Sequence, residues 1–204
     1  LDHEVICAGL LHDVLEDTFI KPDYMRQEFG ETITYLVESV TKISQLKNQS
    51  AESKQAINIR RMIMATVRDN RVILIKLADK LHNMRTLGFQ PTTKGMHIAR
   101  EVLEIYAPLA GRLGIYKIKS ELEDLALYHL DRTAYASIKD RVAEKKGQRD
   151  ERVSMVMSQL TTALKDAKIK AKVEGRSKHF YSIYSKMQEQ KKDFEDIYEI
   201  GRAH

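Results

Sequence analysis

One cysteine, Cys7, stands in a chain of 204 residues, so no internal disulfide can form and a disulfide-stapled scaffold is excluded. That usage fits a reducing compartment, and a cytoplasmic location is expected. Proline (3) and glycine (9) are also scarce, which argues against collagen, low complexity and a turn-rich β-sandwich. No run approaches the roughly 18 consecutive apolar residues of a membrane span, and no membrane partner is expected. The N-terminus has no basic region followed by an apolar run and cleavage site, so no signal peptide is read. It also lacks a starting Met and opens inside a helical pattern, so further residues are expected upstream. What is abundant is a balance of 43% hydrophobic residues, enough for a core, and 31% charged residues, enough to cover it. The length suits one medium domain, or one plus part of a second.

The net charge of +5 is unevenly placed. Residues 1–140 hold 19 basic and 19 acidic residues, whereas residues 141–204 hold 15 and 10. A basic tail can steer polyanions such as nucleotides or RNA. A solvated, Lys-rich helical face is the plainer reading of the same charge.

Helical periodicity dominates the first 165 residues. Val5, Ala8, Leu11 and Leu15 share one face of a first helix, which must stop by Lys21 because Pro22 disfavours helical geometry before it. Asp23 is placed to cap a second helix that Gly30 closes. Residues 32–40 read as a third, with Ile33, Leu36, Val37 and Val40 on one face. A polar loop over 45–53 precedes a helix over 54–66. Residues 72–84 form a strongly apolar helix, with Val72, Ile75, Leu77, Ala78 and Leu81 as its stripe. Two further helices, 97–109 and 120–130, flank a loop around Gly111 and Gly114. Near residue 168 the period changes: Ile169, Ala171 and Val173 alternate with Lys168, Lys170 and Lys172, as in a strand. A helix over 179–190 follows, with Ser177 as its cap. The expected fold is therefore mainly α, followed by the first strand and helix of an α/β domain.

Chemistry concentrates in two stretches. In Leu11-His12-Asp13-Val14-Leu15-Glu16-Asp17-Thr18, adjacent His12 and Asp13 offer one imidazole nitrogen and one carboxylate oxygen to a single divalent ion. Glu16 and Asp17 follow four residues after each, so they are expected one helical turn further along the same side. In Leu77-Ala78-Asp79-Lys80-Leu81-His82-Asn83-Met84-Arg85-Thr86, Asp79 and Asn83 share a helical face. Asp79 can supply a second oxygen ligand, and Asn83 can hydrogen-bond a substrate or a ligand. His82 is offset from that face and reads as structural. The N,O,O set of His12, Asp13 and Asp79 suits Mn²⁺, Fe²⁺ or Zn²⁺, with a fourth ligand, a His, expected upstream.

These two stretches resemble the hydrolase domain of the long RelA/SpoT homologues, a branch of the HD-domain metal phosphohydrolases. The resemblance extends to Ala107-Pro108-Leu109-Ala110-Gly111-Arg112-Leu113-Gly114-Ile115 and to Glu121-Leu122-Glu123-Asp124-Leu125-Ala126. Gly175-Arg176-Ser177-Lys178-His179-Phe180-Tyr181-Ser182-Ile183-Tyr184-Ser185-Lys186-Met187 is similar to the start of that family's nucleotidyltransferase-like synthetase domain. The resemblance divides the chain into an HD domain over 1–135, a connecting helical region over 136–167, and the start of a synthetase domain over 168–204. It marks the chain as truncated at both ends.

The resemblance implies an enzyme of guanosine tetra- and pentaphosphate, (p)ppGpp, metabolism in the stringent response. Its hydrolase removes the 3′-diphosphate to give GDP or GTP and pyrophosphate, with Mn²⁺; its synthetase transfers pyrophosphate from ATP to GDP or GTP, with Mg²⁺. His12, Asp13 and Asp79 would be metal ligands, and Glu16 and Asp17 the acidic pair that positions and activates water. Asn83 and Thr86 would contact substrate. Arg176, Lys178, Ser182 and Lys186 would contact the phosphates of ATP. Residues 196–199 resemble the strand of the synthetase's Mg²⁺-binding Asp, with Glu199 in that Asp's place. The other catalytic acid is expected beyond His204, so synthetase activity is not expected of this chain alone. A ribosome contact of the full-length family member stays open. So do two alternatives: an HD phosphohydrolase for another nucleotide, and a catalytically degenerate nucleotide-binding regulatory module.

Overall fold

The computed structural model describes residues 2–44, 68–89, 92–175 and 178–198. The loop and helix expected over 45–66 lie outside the described residues, as do Arg176, Ser177 and Glu199. Every regular element among the described residues is helical, and none of these helices is long and apolar enough to cross a membrane. The helices are α1 (His3–Leu11), α2 (Val14–Asp17), α3 (Pro22–Ser44), α4 (Asn70–Thr86), α5 (Thr92–Glu101), α6 (Ala107–Arg112), α7 (Tyr116–Leu130), α8 (Arg132–Glu144), α9 (Lys146–Asp166), α10 (Phe180–Gln190) and α11 (Phe194–Tyr198). They fall into two compact units, Leu1–Pro91 with Glu101–Leu122, and Thr92–Arg100 with Glu123–His204.

In the first unit α1, α3 and α4 pack against one another. Asp2 caps α1 by accepting from the Val5 amide at 2.8 Å, and Val5 and Ala8 are buried. The first helix is shorter than its apolar face suggests. It ends at Leu11, and α2 begins anew after His12 and Asp13, with the Glu16 and Asp17 amides both donating to the Asp13 carbonyl at 3.0 and 2.8 Å. The His-Asp pair therefore sits at a helix break.

The second and third expected helices are the two halves of α3, which meet at Gly30 with φ 81° and ψ 172°. The first half starts at Pro22 rather than at an Asp23 cap, because the fixed φ of proline suits the first helical position. Arg26 clasps the break, reaching Glu31 at 3.0 Å and Glu38 at 3.1 Å. Ile33, Leu36, Val37 and Val40 are all buried as their spacing predicts, each contributing about 1.5–3 kcal/mol. Gly30→Ala is expected to destabilise the protein by about 1–3 kcal/mol, since positive φ with extended ψ is a conformation essentially reserved for glycine. A chemical denaturation midpoint equal to wild type would count against that backbone assignment.

Asp69 caps α4, accepting from the Arg71 amide at 2.9 Å and from its guanidinium at 2.8 Å. Arg71 also reaches Glu4 on α1 at 2.7 Å. Its hydrogen bond to Asp69 holds that carboxyl below its ordinary value of 3.8, outweighing partial burial. A lowered carboxyl stabilises the fold above 3.8 and loses that contribution as pH falls through its folded value. Asp69→Asn keeps the cap but not the charge. It is expected to melt lower than wild type at neutral pH and alongside it near pH 2, in parallel melts.

The buried face of α4 is Val72, Ile73, Ile75, Lys76, Leu77 and Met84. Ala78 and Leu81, expected in the stripe, lie outside it, with Ala78 exposed. Further on, the helix expected over 97–109 runs to Arg112 by way of a π turn over Val102–Tyr106, where the Ala107 amide donates to the Val102 carbonyl. Pro108 explains the turn. It has no amide to return to the preceding turn, and its ring crowds the carbonyl there. Gly114, at φ 76°, then ends α6, with Ile115 donating back to the Ala110 carbonyl at 2.9 Å.

In the second unit a small core gathers Ile138 and Val142 of α8, Ile183 of α10, and Phe194 and Ile197 of α11. The expected strand is not formed: residues 169–175 carry no regular hydrogen-bonded structure. Alternation supplies two faces, but a strand needs a partner backbone, and none among the described residues pairs with it. Asp196, Ile197 and Tyr198 are helical, in α11, where the resemblance implies a strand over 196–199. The i, i+3 pair Phe194 and Ile197 turns one face into that core, which an extended chain could not do.

Candidate metal centre

The break after α1 and the middle of α4 bring His12, Asp13 and Asp79 together. The Nε2 atom of His12 lies 3.1 Å from Oδ1 of Asp13 and 3.5 Å from Oδ1 of Asp79. Register places them there. Glu4 and Arg71 pair near the starts of α1 and α4, and His12 and Asp79 follow eight residues on in each, so the two helices run side by side in the same direction.

His12 Nδ1 lies 2.8 Å from the Gly9 carbonyl oxygen, to which it donates. In the neutral imidazole that bond assigns the tautomer and leaves the lone pair on Nε2. This Nε2 atom is buried and has no hydrogen-bond partner. A lone pair between two carboxylates lacks a positive centre, and an unsatisfied buried polar atom is costly. The donor set, one imidazole nitrogen and two carboxylate oxygens, fits a divalent cation. As the side chains stand, no group of three His, Cys, Asp or Glu among the described residues closes to ligating distance. Asp79 is held instead by Lys76, whose ammonium lies 2.7 Å from Oδ2, and by Asn83, whose amide donates to Oδ1 at 2.6 Å. Burial pushes the Asp79 carboxyl up, but Lys76, by charge and hydrogen bond, and then Lys80 outweigh it and leave the group below its ordinary value.

The remaining expected residues divide. Glu16, half-buried, and Asp17, exposed, sit on α2 directly after the pair rather than one turn along a continuous helix, because the helix breaks between them. Asp13 is also largely exposed, so the buried members of the site are His12 Nε2 and Asp79. Asn83 faces Asp79. Thr86 is exposed, its hydroxyl donating to the carbonyls of His82 and Asn83 at 3.1 and 3.2 Å. Lys76 was missed at the sequence level. A Lys three residues before Asp79 on the same helix was the available signal.

In the second unit, Lys178 precedes α10 and Lys186 lies on it. Burial, then the neighbouring Lys186, holds the Lys178 amine below its ordinary value, so the structure brings two cationic side chains together. Ser182 Oγ lies 3.1 Å from His179 Nε2, which is 2.6 Å from Glu123. The Tyr181 amide donates to Asp124 at 2.8 Å, which fixes the first turn of α10. Arg176 lies outside the described residues.

A helical domain whose paired His and Asp meet a distant Asp defines a class, and residues 1–116 match the HD domain family, to which the chain belongs. Over 98% of its length the chain is similar to longer bacterial proteins. It is 48% identical to the bifunctional (p)ppGpp synthase/hydrolase SpoT of Escherichia coli K12, of which it spans 28%. It is 48% identical to a probable guanosine-3′,5′-bis(diphosphate) 3′-pyrophosphohydrolase of Synechocystis, of which it spans 26%. It is 46% identical to a GTP pyrophosphokinase of Streptomyces coelicolor, of which it spans 23%. The resemblance to the long RelA/SpoT homologues thus holds across nearly the whole chain.

Proposed function

We propose that this chain is part of an enzyme that hydrolyses the 3′-diphosphate of (p)ppGpp, giving GDP or GTP and pyrophosphate. The observation that carries the reading is the buried, unpartnered Nε2 of His12 between the carboxylates of Asp13 and Asp79. Relatives named for this reaction, nearly half identical over 98% of the chain, give the substrate.

His12, Asp13 and Asp79 would hold a divalent cation, Mn²⁺ for this activity. Such a cation supplies Lewis-acid charge at the phosphorus under attack and acidifies water near it. The Gly9 carbonyl keeps His12 in the tautomer that offers Nε2. One of Glu16 and Asp17 would take the proton of the attacking water as its oxygen bonds to phosphorus, and the 3′-oxygen would take up a proton as its bond to phosphorus breaks. Asn83 and Thr86, on the exposed side of α4, would contact the nucleotide.

The domain division follows: an HD domain over 1–135, connecting helices over 136–167, and from 168 the opening of a synthetase domain. There 169–173 would form a strand once paired. Arg176, Lys178, Ser182 and Lys186 would hold the phosphates of ATP, since clustered cations suit a polyphosphate. In the complete protein this domain would use Mg²⁺ and take GDP or GTP, and a ribosome contact and a cytoplasmic location belong to the same reading. Mn²⁺-dependent release of pyrophosphate from ppGpp by the complete protein tests the assignment. Turnover of another nucleotide in preference to ppGpp would move the substrate while keeping the class. Binding of ppGpp without metal and without turnover would make the module regulatory.

A further inference from the structure

Lys76 and Asp79 form an ion pair whose side chains are 9% and 8% exposed. A buried ammonium is costly unless it meets an opposite charge, and this one lies 2.7 Å from Oδ2 of Asp79, the other oxygen being the one 3.5 Å from His12. Oδ2 accepts from Lys76, while Oδ1 accepts from Asn83 and lies nearest His12 Nε2. Both oxygens of this carboxylate are therefore served with no metal bound. Without Lys76, a lone pair and two carboxylates would share one pocket with no nearby ammonium on the buried oxygen.

We infer that Lys76 is a resident counter-cation of the metal centre: its ammonium holds Asp79 in the metal-free protein and opposes a divalent ion for the same carboxylate. The inference rests on the reading of His12, Asp13 and Asp79 as ligands. Two consequences follow from charge alone. The metal-free domain keeps its fold because the buried carboxylate is neutralised. The affinity for metal is set below what the ligands alone would give, because an arriving dication meets a like charge hydrogen-bonded to one of its ligands. Lys80 is the internal control. It also bears on Asp79, but its ammonium pairs with Glu101 at 3.4 Å and lies 5.0 Å from the Tyr106 ring centroid.

The test is calorimetric titration of the complete protein with MnCl₂ alone, with thermal melts at each metal level. Lys76→Met is expected to melt below wild type without metal and to bind Mn²⁺ about tenfold more tightly, so that metal restores much of the lost stability. Lys80→Met is expected to leave the affinity near wild type. Weaker or unchanged Mn²⁺ binding by Lys76→Met overturns the inference, since Lys76 would then build the site or ignore it. Should Lys76→Met fail to fold, Lys76→Gln keeps a donor without the charge and is read in the same way. The wild-type protein gives an independent reading: the ¹⁵N ammonium resonance of Lys76 is expected to shift and lose exchange protection on titration with diamagnetic Zn²⁺, and an unmoved signal at saturation overturns the inference. If wild type binds no Mn²⁺, or His12→Ala binds it equally, the ligand reading itself fails and takes this inference with it.

Discussion

His12→Ala is expected to lose Mn²⁺ binding and to slow pyrophosphate release from (p)ppGpp by about a thousandfold, several kcal/mol of charge stabilisation at tenfold per 1.4 kcal/mol. The metal-free fold should survive. His12 follows the last residue of α1, outside the buried face of Val5 and Ala8, and its Nε2 has no partner to lose. The metal-free melting temperature is therefore expected to fall by little more than the loss of the Nδ1–Gly9 hydrogen bond, about 1 kcal/mol, while the rise on adding Mn²⁺ vanishes. Asp79→Asn separates the two effects. It should lose the same activity and also remove the carboxylate charge that Lys76 meets at 2.7 Å, which lowers the metal-free melting temperature. Metal titration, melting curves and pyrophosphate assays on the two variants check both. Wild-type turnover by His12→Ala would sink the site.

Phe194→Ala is expected to cost about 3–5 kcal/mol, the usual range for emptying a fully buried phenylalanine. Phe194 is 0% exposed, and its neighbours Ile138, Val142, Ile183 and Ile197 make up most of the small core of the second unit. The Arg141 guanidinium and Lys145 ammonium lie 5.5 and 5.8 Å from the ring centroid, adding a cation–π contribution that alanine also removes. Phe194→Leu should recover more than half of the loss, because it refills most of the volume. Urea denaturation followed by far-UV circular dichroism measures the effect. A midpoint displaced by less than about 1 kcal/mol in Phe194→Ala would show that α11 is not packed as described.

Helix content was legible wherever one face carried a strong apolar period. Ile33, Leu36, Val37 and Val40 were named from spacing and are buried. Gly30 and Gly114 were read as breaks, and both adopt positive φ. Periodicity failed where a local backbone event outweighed it. The first helix stops at Leu11 although its apolar face runs on to Leu15, and the π turn ahead of Pro108 carries a helix past the end that was expected. It failed again at 169–175, because alternation states what a strand would show to each side and says nothing of whether another strand is there to pair with it.

The amino-acid sequence by itself determined the donor types: an imidazole, carboxylates and a carboxamide, set in apolar stretches that fold as helices. It also determined their order along the chain, and so the resemblance to a family of metal phosphohydrolases. Only the tertiary structure decided that Nε2 of His12 is the buried nitrogen, that Asp79 meets it, and that Lys76 occupies the other side of the same carboxylate. The reason is register. Helical spacing fixes neighbours within about one turn, whereas the meeting of α1 with α4 depends on where two distant helices are pinned. Arg71, bound at once to Asp69 and Glu4, does the pinning.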